Sequence, residues 1–347
     1  MTTRPLAVSA ALVLLAVPAA AEAKTFKPIP SQKFQLKKQG FGKTAYARVR
    51  QLQTAYPRVG LKGLMSDLNR DTQGLLPGPV SGLSNVFGYS WADGDNKVDY
   101  WYPQGMTGRD GIQAVSWYRK EGDRDVDVRI SFVGRQKRHY RFALLVEPAG
   151  GTSFRRVPIH AGGIAWAGRY MYVADTSDGF RVFDTTQIMR VPDGRLGDTD
   201  NYRFLLAQVG RYRTVGASFI FSAASLDRSS RSKPAVVAGE YRTSGTTRIA
   251  RWRLNPKTQR LARGRATQAF STRFDQLQGV ATHNGRVFVS SSQGDTGRLY
   301  FGKPRKRAKN KPWGNTPQAL YVSEGALWSH TENPGNRTVF AKKLGDL

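Results

Sequence analysis

The sequence predicts an all-β fold, a β-propeller of about five four-stranded blades, with a short helical segment before it. The first observation is the stretch 160–184, HAGGIAWAGRYMYVADTSDGFRVFD, which contains three short strand-like segments separated by Ala-Gly-Arg and Ser-Asp-Gly. A three-stranded meander of this length cannot bury both faces alone, so a chain that repeats it must stack the copies. The second observation is that similar segments recur about every 40 to 60 residues from Val86 onward, and radial stacking of such copies gives a propeller.

Residues 1–23 are predicted to be a secretory signal peptide. Leu6 to Ala20 are almost wholly apolar, and Ala21-Glu22-Ala23 is a small-x-small cleavage site. The apolar stretch of about 15 residues is too short to span a bilayer comfortably. We therefore expect an extracellular protein without a membrane span. The chain has no cysteine, so a large packed core, rather than disulfides, must hold it together.

Residues 24–83 are predicted to form a helical and irregular N-terminal segment. Apolar residues follow helical spacing between 44 and 56, and Pro57 ends that pattern. A second short helix is predicted at 61–68. The Gly- and Pro-rich stretch 71–84 is typical of a connector.

The propeller itself is predicted to occupy residues 84–347. Each inner strand is expected to open with a small residue, usually after a polar one; these small residues are Gly105, Gly163, Gly216, Gly279 and Ala319. The last blade has only three strand-like segments before the chain ends, whereas Ser84 to Asp93 is a strand without a blade. We therefore predict that this segment pairs beside the C-terminal strands and closes the ring, which would leave no open edge.

The motif HAGGIAW…YVADT..GFRVFD resembles secreted actinobacterial-type β-propeller proteins, and PQGMT, LQGVAT and LWSHTENPG look like the equivalents in other blades. The resemblance covers about three quarters of the chain after residue 23. It implies a propeller and export, but it implies no reaction. In architecture the chain is also similar to five-bladed sugar-processing propellers, and this analogy does not transfer an activity.

In a propeller, the segments that precede the inner strands and the loops between second and third strands meet at one face, called the mouth below. The candidate ligand-binding residues there are Gln104, Gln278, Gln318, Glu240, Ser291 and Asp295. The candidate catalytic residues are His160, His330, Glu332 and Asp175. Amides and carboxylates can bind a sugar, a phosphate or a cation, and imidazoles and carboxylates can transfer protons. Each also has a structural interpretation, since histidines brace strands and Asp175 lies in a DTSDG turn.

The chain is strongly basic, with 54 lysines and arginines against 25 acids and a formal net charge of +29. The run KPRKRAKNK supplies the candidate polymer-docking residues Lys303, Arg305, Lys306 and Arg307. Such a run favours binding to anionic polymers, for example those of a cell envelope, although it is equally typical of a solvated linker. We expect it to be a loop between blades four and five. No nucleic-acid reading motif accompanies the charge.

These features lead to three hypotheses. The first is a secreted propeller that binds an anionic or carbohydrate ligand at its mouth and docks on an envelope or extracellular polymer. The second is an extracellular hydrolase or lyase that acts on a sugar or phosphate bond in the same funnel, and the third is a protein-interaction scaffold. The sequence lacks a P-loop, HExxH, a dinucleotide fingerprint and a Gly-x-Ser-x-Gly elbow. It specifies no cofactor, and metal dependence stays open because the acids of WADGDNKVDY do not have the spacing of a calcium loop.

Overall fold

The computed structural model describes residues 24–293 and 296–347 and forms a five-bladed β-propeller. Each blade is a sheet of four antiparallel strands that runs outward from a central axis. The predicted fold class is therefore confirmed. The predicted signal peptide and Asp295 lie outside the described residues.

The first two blades are joined at their outer edges. The strands of blade one are Trp101–Arg109, Ile112–Glu121, Arg124–Gly134 and His139–Gly150. The strands of blade two are Ile164–Ala167, Tyr170–Asp175, Gly179–Asp184 and Phe204–Gly216. The outer strand of blade two pairs in parallel with the outer strand of blade one at Leu205 and Leu144, so the two blades share one continuous sheet.

The remaining blades are separate sheets. The strands of blade three are Ala223–Asp227, Ala235–Gly239, Thr247–Arg253 and Gln268–Thr272. Those of blade four are Leu277–His283, Arg286–Ser291, Arg298–Gly302 and Lys309–Pro312. Blade five contains Pro317–Ser323, Ala326–Thr331, Thr338–Lys343 and, as its outer strand, Val86–Ser90.

The outer strand of blade five confirms the predicted ring closure. Val86–Ser90 pairs antiparallel with Thr338–Lys343, in a register that places Ser90 opposite Thr338 and Val86 opposite Lys342. The first strand of the propeller thus completes the last blade.

Two predictions about strand positions are wrong. Gly216 does not open the inner strand of blade three; it ends the outer strand of blade two, where its φ of +93° suits glycine, and the inner strand begins at Ala223. The basic run, residues 303–311, is not only a loop. Its last three residues belong to the strand Lys309–Pro312, which pairs with Arg298–Gly302 as the outer strand of blade four.

The N-terminal segment binds the propeller from outside. Helices α1 (Lys43–Gln53) and α2 (Gly60–Met65) lie close to the two predicted ones, and Val49 and Leu52 of α1 pack into the core beside blades one and two. Two strands add to sheet edges: Lys27–Pro28 extends blade three and Phe34–Gln39 extends blade two. The N-terminal segment therefore connects blades two and three from outside.

The other elements are short. A third helix, α3, spans Asp93–Lys97. The short strands are Arg70–Asp71, Ser153–Arg156 and Met189–Arg190. The 3-10 helices are Ser31–Lys33, Gly78–Val80, Thr185–Gln187, Asp193–Thr199 and Leu344–Asp346. No helix in the described ranges has the length and apolar character needed to cross a bilayer.

The inner strands of neighbouring blades approach each other so closely that their backbones leave no room for a side chain at three glycines. A Cβ atom built on Gly163 would lie 1.8 Å from the backbone nitrogen of Ala224, and one built on Gly105 would lie 2.6 Å from that of Ile164. On Gly279 it would lie 2.4 Å from the carbonyl carbon of Ala319. The small residues that the sequence places at these points are therefore required by packing.

Candidate functional site

Three inner strands carry an irregularity at the mouth. The pairing register shifts between Pro103 and Met106 in blade one, between Leu277 and Gly279 in blade four, and between Gln318 and Tyr321 in blade five. Bulges of this kind redirect side chains next to a site. Each one coincides with a glutamine followed by a small residue, so the repeated motif has a geometric role.

The carboxyl group of Glu332 is held by two of these glutamines, each from a different blade. Gln104 Nε2 in blade one donates to Glu332 Oε1 at 2.5 Å, and Gln318 Nε2 in blade five donates to Oε2 at 2.9 Å. Both oxygens of Glu332 are therefore fixed. A carboxylate has about four acceptor sites, so these two hydrogen bonds do not use all of them.

The surroundings of Glu332 alter its acidity. Burial raises the pKa of Glu332, while the nearby side chains of His160, Arg337 and Lys120 and the hydrogen bond from Gln104 act in the opposite direction. The raised pKa of a carboxyl group at the mouth of a fold is typical of a functional acid, although structural networks also produce it.

His330 lies beneath this carboxyl group and is completely buried. Its Nε2 lies 2.8 Å from the carbonyl oxygen of Gln104 and its Nδ1 lies 3.3 Å from that of Thr331. Burial lowers the pKa of His330 to about 4, so the ring is neutral at neutral pH and donates to one of these oxygens. The geometry makes His330 a brace between blades five and one.

His160 belongs to an aromatic wall that also contains Tyr118 and Tyr102. Its ring lies 4.1 Å from the ring of Tyr118, and Tyr118 stacks on Tyr102 at 5.4 Å between centroids. Its Nδ1 is 3.3 Å from Asp125 Oδ2. Burial raises the pKa of Tyr118, and the negative charges of Glu332 and Asp125 raise it further.

Arg337 is a buried cation that connects the mouth to helix α3. Its Nε donates to the carbonyl oxygen of Glu332 at 2.8 Å, and its Nη1 donates to that of Asp95 at 2.8 Å. Its Nη2 has no hydrogen-bond partner among the residues that the structure describes. Burial lowers the pKa of Arg337 to about 10, and the charge of Glu332 opposes this shift.

The other predicted site residues have partners within their own blades. Asp175 pairs with Arg181 at 2.9 Å in blade two, and Glu240 accepts from Arg248 Nε at 2.6 Å and Nη2 at 2.5 Å in blade three. These arginine pairs occupy the carboxylates. The structure therefore brings His160, His330 and Glu332 together with two of the predicted glutamines, and it does not bring Asp175 or Glu240 to them.

Blade four contributes hydroxyl and amide groups that mainly bind each other. Ser291 Oγ donates to the carbonyl oxygen of Asp275 at 2.7 Å, and Gln278 Nε2 lies 3.4 Å from Ser292 Oγ. Within residues 24–293 and 296–347, no group of three or more His, Asp or Glu side chains has the geometry to hold a metal ion.

Sequence reasoning missed four members of the site: Tyr102, Tyr118, Asp125 and Arg337. Tyr118 and Asp125 belong to the second and third strands of blade one and flank the loop that joins them. Tyr118 lies four positions before this loop and Asp125 two positions after it, so a search confined to loop residues omits both. Nothing in the sequence distinguishes Arg337 from the other arginines.

The predicted polymer-docking residues lie at the far face. Successive strands of a blade alternate in direction, so the turn between the third and fourth strands of blade four, residues 303–308, is on the side opposite the mouth. Lys303, Arg305, Lys306 and Arg307 are all exposed there, and no carboxylate of the described chain pairs with them. Polymer docking and mouth binding would use separate surfaces.

The chain matches no protein-family model, and no curated protein matches its sequence. Similar solved structures include the GH43_1 enzyme from Xanthomonas citri complexed with xylose, with 11% identity and a TM-score of 0.37 over 86% of this chain and 93% of that one. CoXyl43, a GH43 β-xylosidase/α-arabinofuranosidase from a compost microbial metagenome, complexed with xylotriose, has 11% identity and a TM-score of 0.36 over 70% and 91%. The nidogen/laminin complex has 12% identity and a TM-score of 0.36 over 72% and 78%. Similarity at this level assigns no activity to this chain.

Proposed function

We propose that this propeller binds a carbohydrate at its mouth, between blades one and five. The observation that carries the proposal is the carboxyl group of Glu332, which Gln104 and Gln318 hold from two blades. Its remaining acceptor sites suit sugar hydroxyl groups. The wall of Tyr102, Tyr118 and His160 supplies an apolar surface with polar edges beside it.

A glycan array followed by titration of the best ligand tests this proposal. We expect Glu332→Gln to weaken binding about tenfold or more, because one acceptor oxygen becomes a donor that faces the amide of Gln104 or Gln318. Glu324→Gln is the matched control, since Glu324 lies in the turn of blade five at the far face. If both substitutions weaken binding equally, or if Glu332→Gln leaves the affinity unchanged, the carbohydrate does not bind at Glu332.

A specific observation favours hydrolysis as a second function. Glu332 has a raised pKa, and the imidazole of His160 lies against Asp125, so an acid and a base face the same mouth. We propose that Glu332 protonates the glycosidic oxygen as its bond to the sugar breaks. His160 removes a proton from the attacking water, and Asp125 holds the imidazole.

Turnover of the glycans that bind separates the two functions. We expect hydrolysis in the wild type, a loss of about 100-fold or more in Glu332→Gln and a similar loss in His160→Ala. If wild-type protein binds a glycan without releasing product, the binding function stands and the hydrolytic one falls.

We also propose that the protein acts outside the cell and docks there on an anionic envelope polymer through the far face. Support comes from the predicted signal peptide and from the exposed basic turn at 303–308. The probe is retention on immobilised long-chain polyphosphate. We expect retention to fall steeply between about 50 and 200 mM salt and to weaken in Lys306→Gln/Arg307→Gln, whereas Lys37→Gln/Arg48→Gln, with the same loss of charge elsewhere, should change it little. Equal effects of the two double variants would mean that net charge alone determines retention.

A further inference from the structure

A basic cleft lies on the flank of the propeller, between helix α1 and the far-face turns of blades two and three. It has a volume of about 580 Å³ and is lined by Tyr46, Arg50, Gln53, Arg58, Arg169, Tyr170, Gln187 and Arg260. Four of its eight lining residues are arginines and none is acidic.

Arg169 is held in place by a buried acid behind the cleft. Asp184 is completely buried and accepts from Arg169 Nε at 2.7 Å and from the hydroxyl of Tyr46 at 2.6 Å. Arg169 Nη2 also donates to Thr186 Oγ1 at 2.8 Å. Asp184 thus balances one of the four arginine charges and orients its guanidinium group.

The other three arginines carry charge that the cleft does not neutralise. Arg260 Nη2 donates to the hydroxyl of Tyr170 at 2.7 Å, and its guanidinium lies 5.0 Å from the centre of that ring. This contact positions Arg260 through a neutral partner. Arg50 and Arg58 are exposed, and no described carboxylate lies within ion-pair distance of either side chain.

We propose that this cleft binds a ligand bearing two or three negative charges on phosphate groups. Guanidinium groups match tetrahedral oxoanions because their N–H donors lie in a planar fork. Three uncompensated charges in one cleft match a diphosphate rather than a single carboxylate. The volume also exceeds that of one phosphate group. The site is distinct from the mouth and from the basic turn at 303–308.

Calorimetric titration of the whole chain with pyrophosphate at about 150 mM salt tests the inference, with long-chain polyphosphate as a second arm. We expect saturable binding of pyrophosphate by the wild type. Arg50→Gln and Arg58→Gln should each weaken it by about tenfold, because each removes a charge-assisted hydrogen bond. Arg169 is unsuitable for substitution, since its loss would leave Asp184 buried without its cation.

Helix α1 provides the matched control. Arg48 is exposed on the same helix, two positions from Arg50, but does not line the cleft. Arg48→Gln should leave pyrophosphate affinity unchanged, as should Lys306→Gln. Absence of saturable binding by the wild type, equal weakening by Arg48→Gln, or binding by the polymer alone would overturn the proposal.

Discussion

Replacing Gly163 by alanine is expected to lower the free energy of unfolding by about 3 kcal/mol or more. The new Cβ atom would lie 1.8 Å from the backbone nitrogen of Ala224. Backbone cannot rotate away as a side chain can, so the inner strands of blades two and three would have to separate. Chemical denaturation of the variant, monitored by circular dichroism, measures the loss.

Gly74→Ala is the control for this substitution. Gly74 lies in the connector before the propeller, and a Cβ atom there would meet nothing within 4 Å. Its unfolding free energy should stay within about 0.5 kcal/mol of the wild type. A Gly163→Ala protein as stable as the control would show that the axis is wider than the structure describes.

Acidification is expected to remove about 3 kcal/mol of stability through His330 alone. Burial lowers the pKa of its imidazole to about 4, from an ordinary value of 6.5. Because the folded-state pKa is below the unfolded one, the contribution is fully present above pH 6.5. It is lost progressively as pH falls through 4, since the unfolded chain takes up a proton that the native brace excludes.

Denaturation at a series of pH values between 7 and 4 measures this effect as a slope. We expect the free energy of unfolding of His330→Gln to change less steeply with pH than that of the wild type. The difference corresponds to the uptake of up to one proton on unfolding, whatever the stability of the variant at pH 7. His283→Gln is the matched control, because His283 lies at a far-face turn and contacts Asn284. Parallel pH profiles for His330→Gln and the wild type would rule out the buried neutral imidazole.

The fold was predictable because its signals repeat. The same glutamine-small motif recurs at the mouth of blades one, four and five, where it marks both the bulge and the close approach of inner strands. The prediction for blade three was wrong at Gly216 because the sequence does not distinguish a glycine that ends a strand with positive φ from a glycine that begins one. The inner strand of blade three instead begins at Ala223, which is also a small residue after a polar one, Ser222.

The candidate site was predictable only in part. Glu332 and its two glutamines belong to repeated positions, and those positions converge. Asp175 and Glu240 occupy corresponding positions, but each pairs with an arginine on the next strand of its own blade. The partner of Asp175 is Arg181, and the partner of Glu240 is Arg248. In a chain with so many arginines, sequence cannot show which carboxylates are neutralised.

The order in which the ring is assembled has a consequence for folding. Val86–Ser90 pairs with Thr338–Lys343, so the earliest strand of the propeller has no partner in blade five until these residues have been synthesised. Contacts between such distant segments slow folding. Until then the nascent chain would present an unpaired strand edge, and removal of residues 338–347 would leave that edge open to association with other chains.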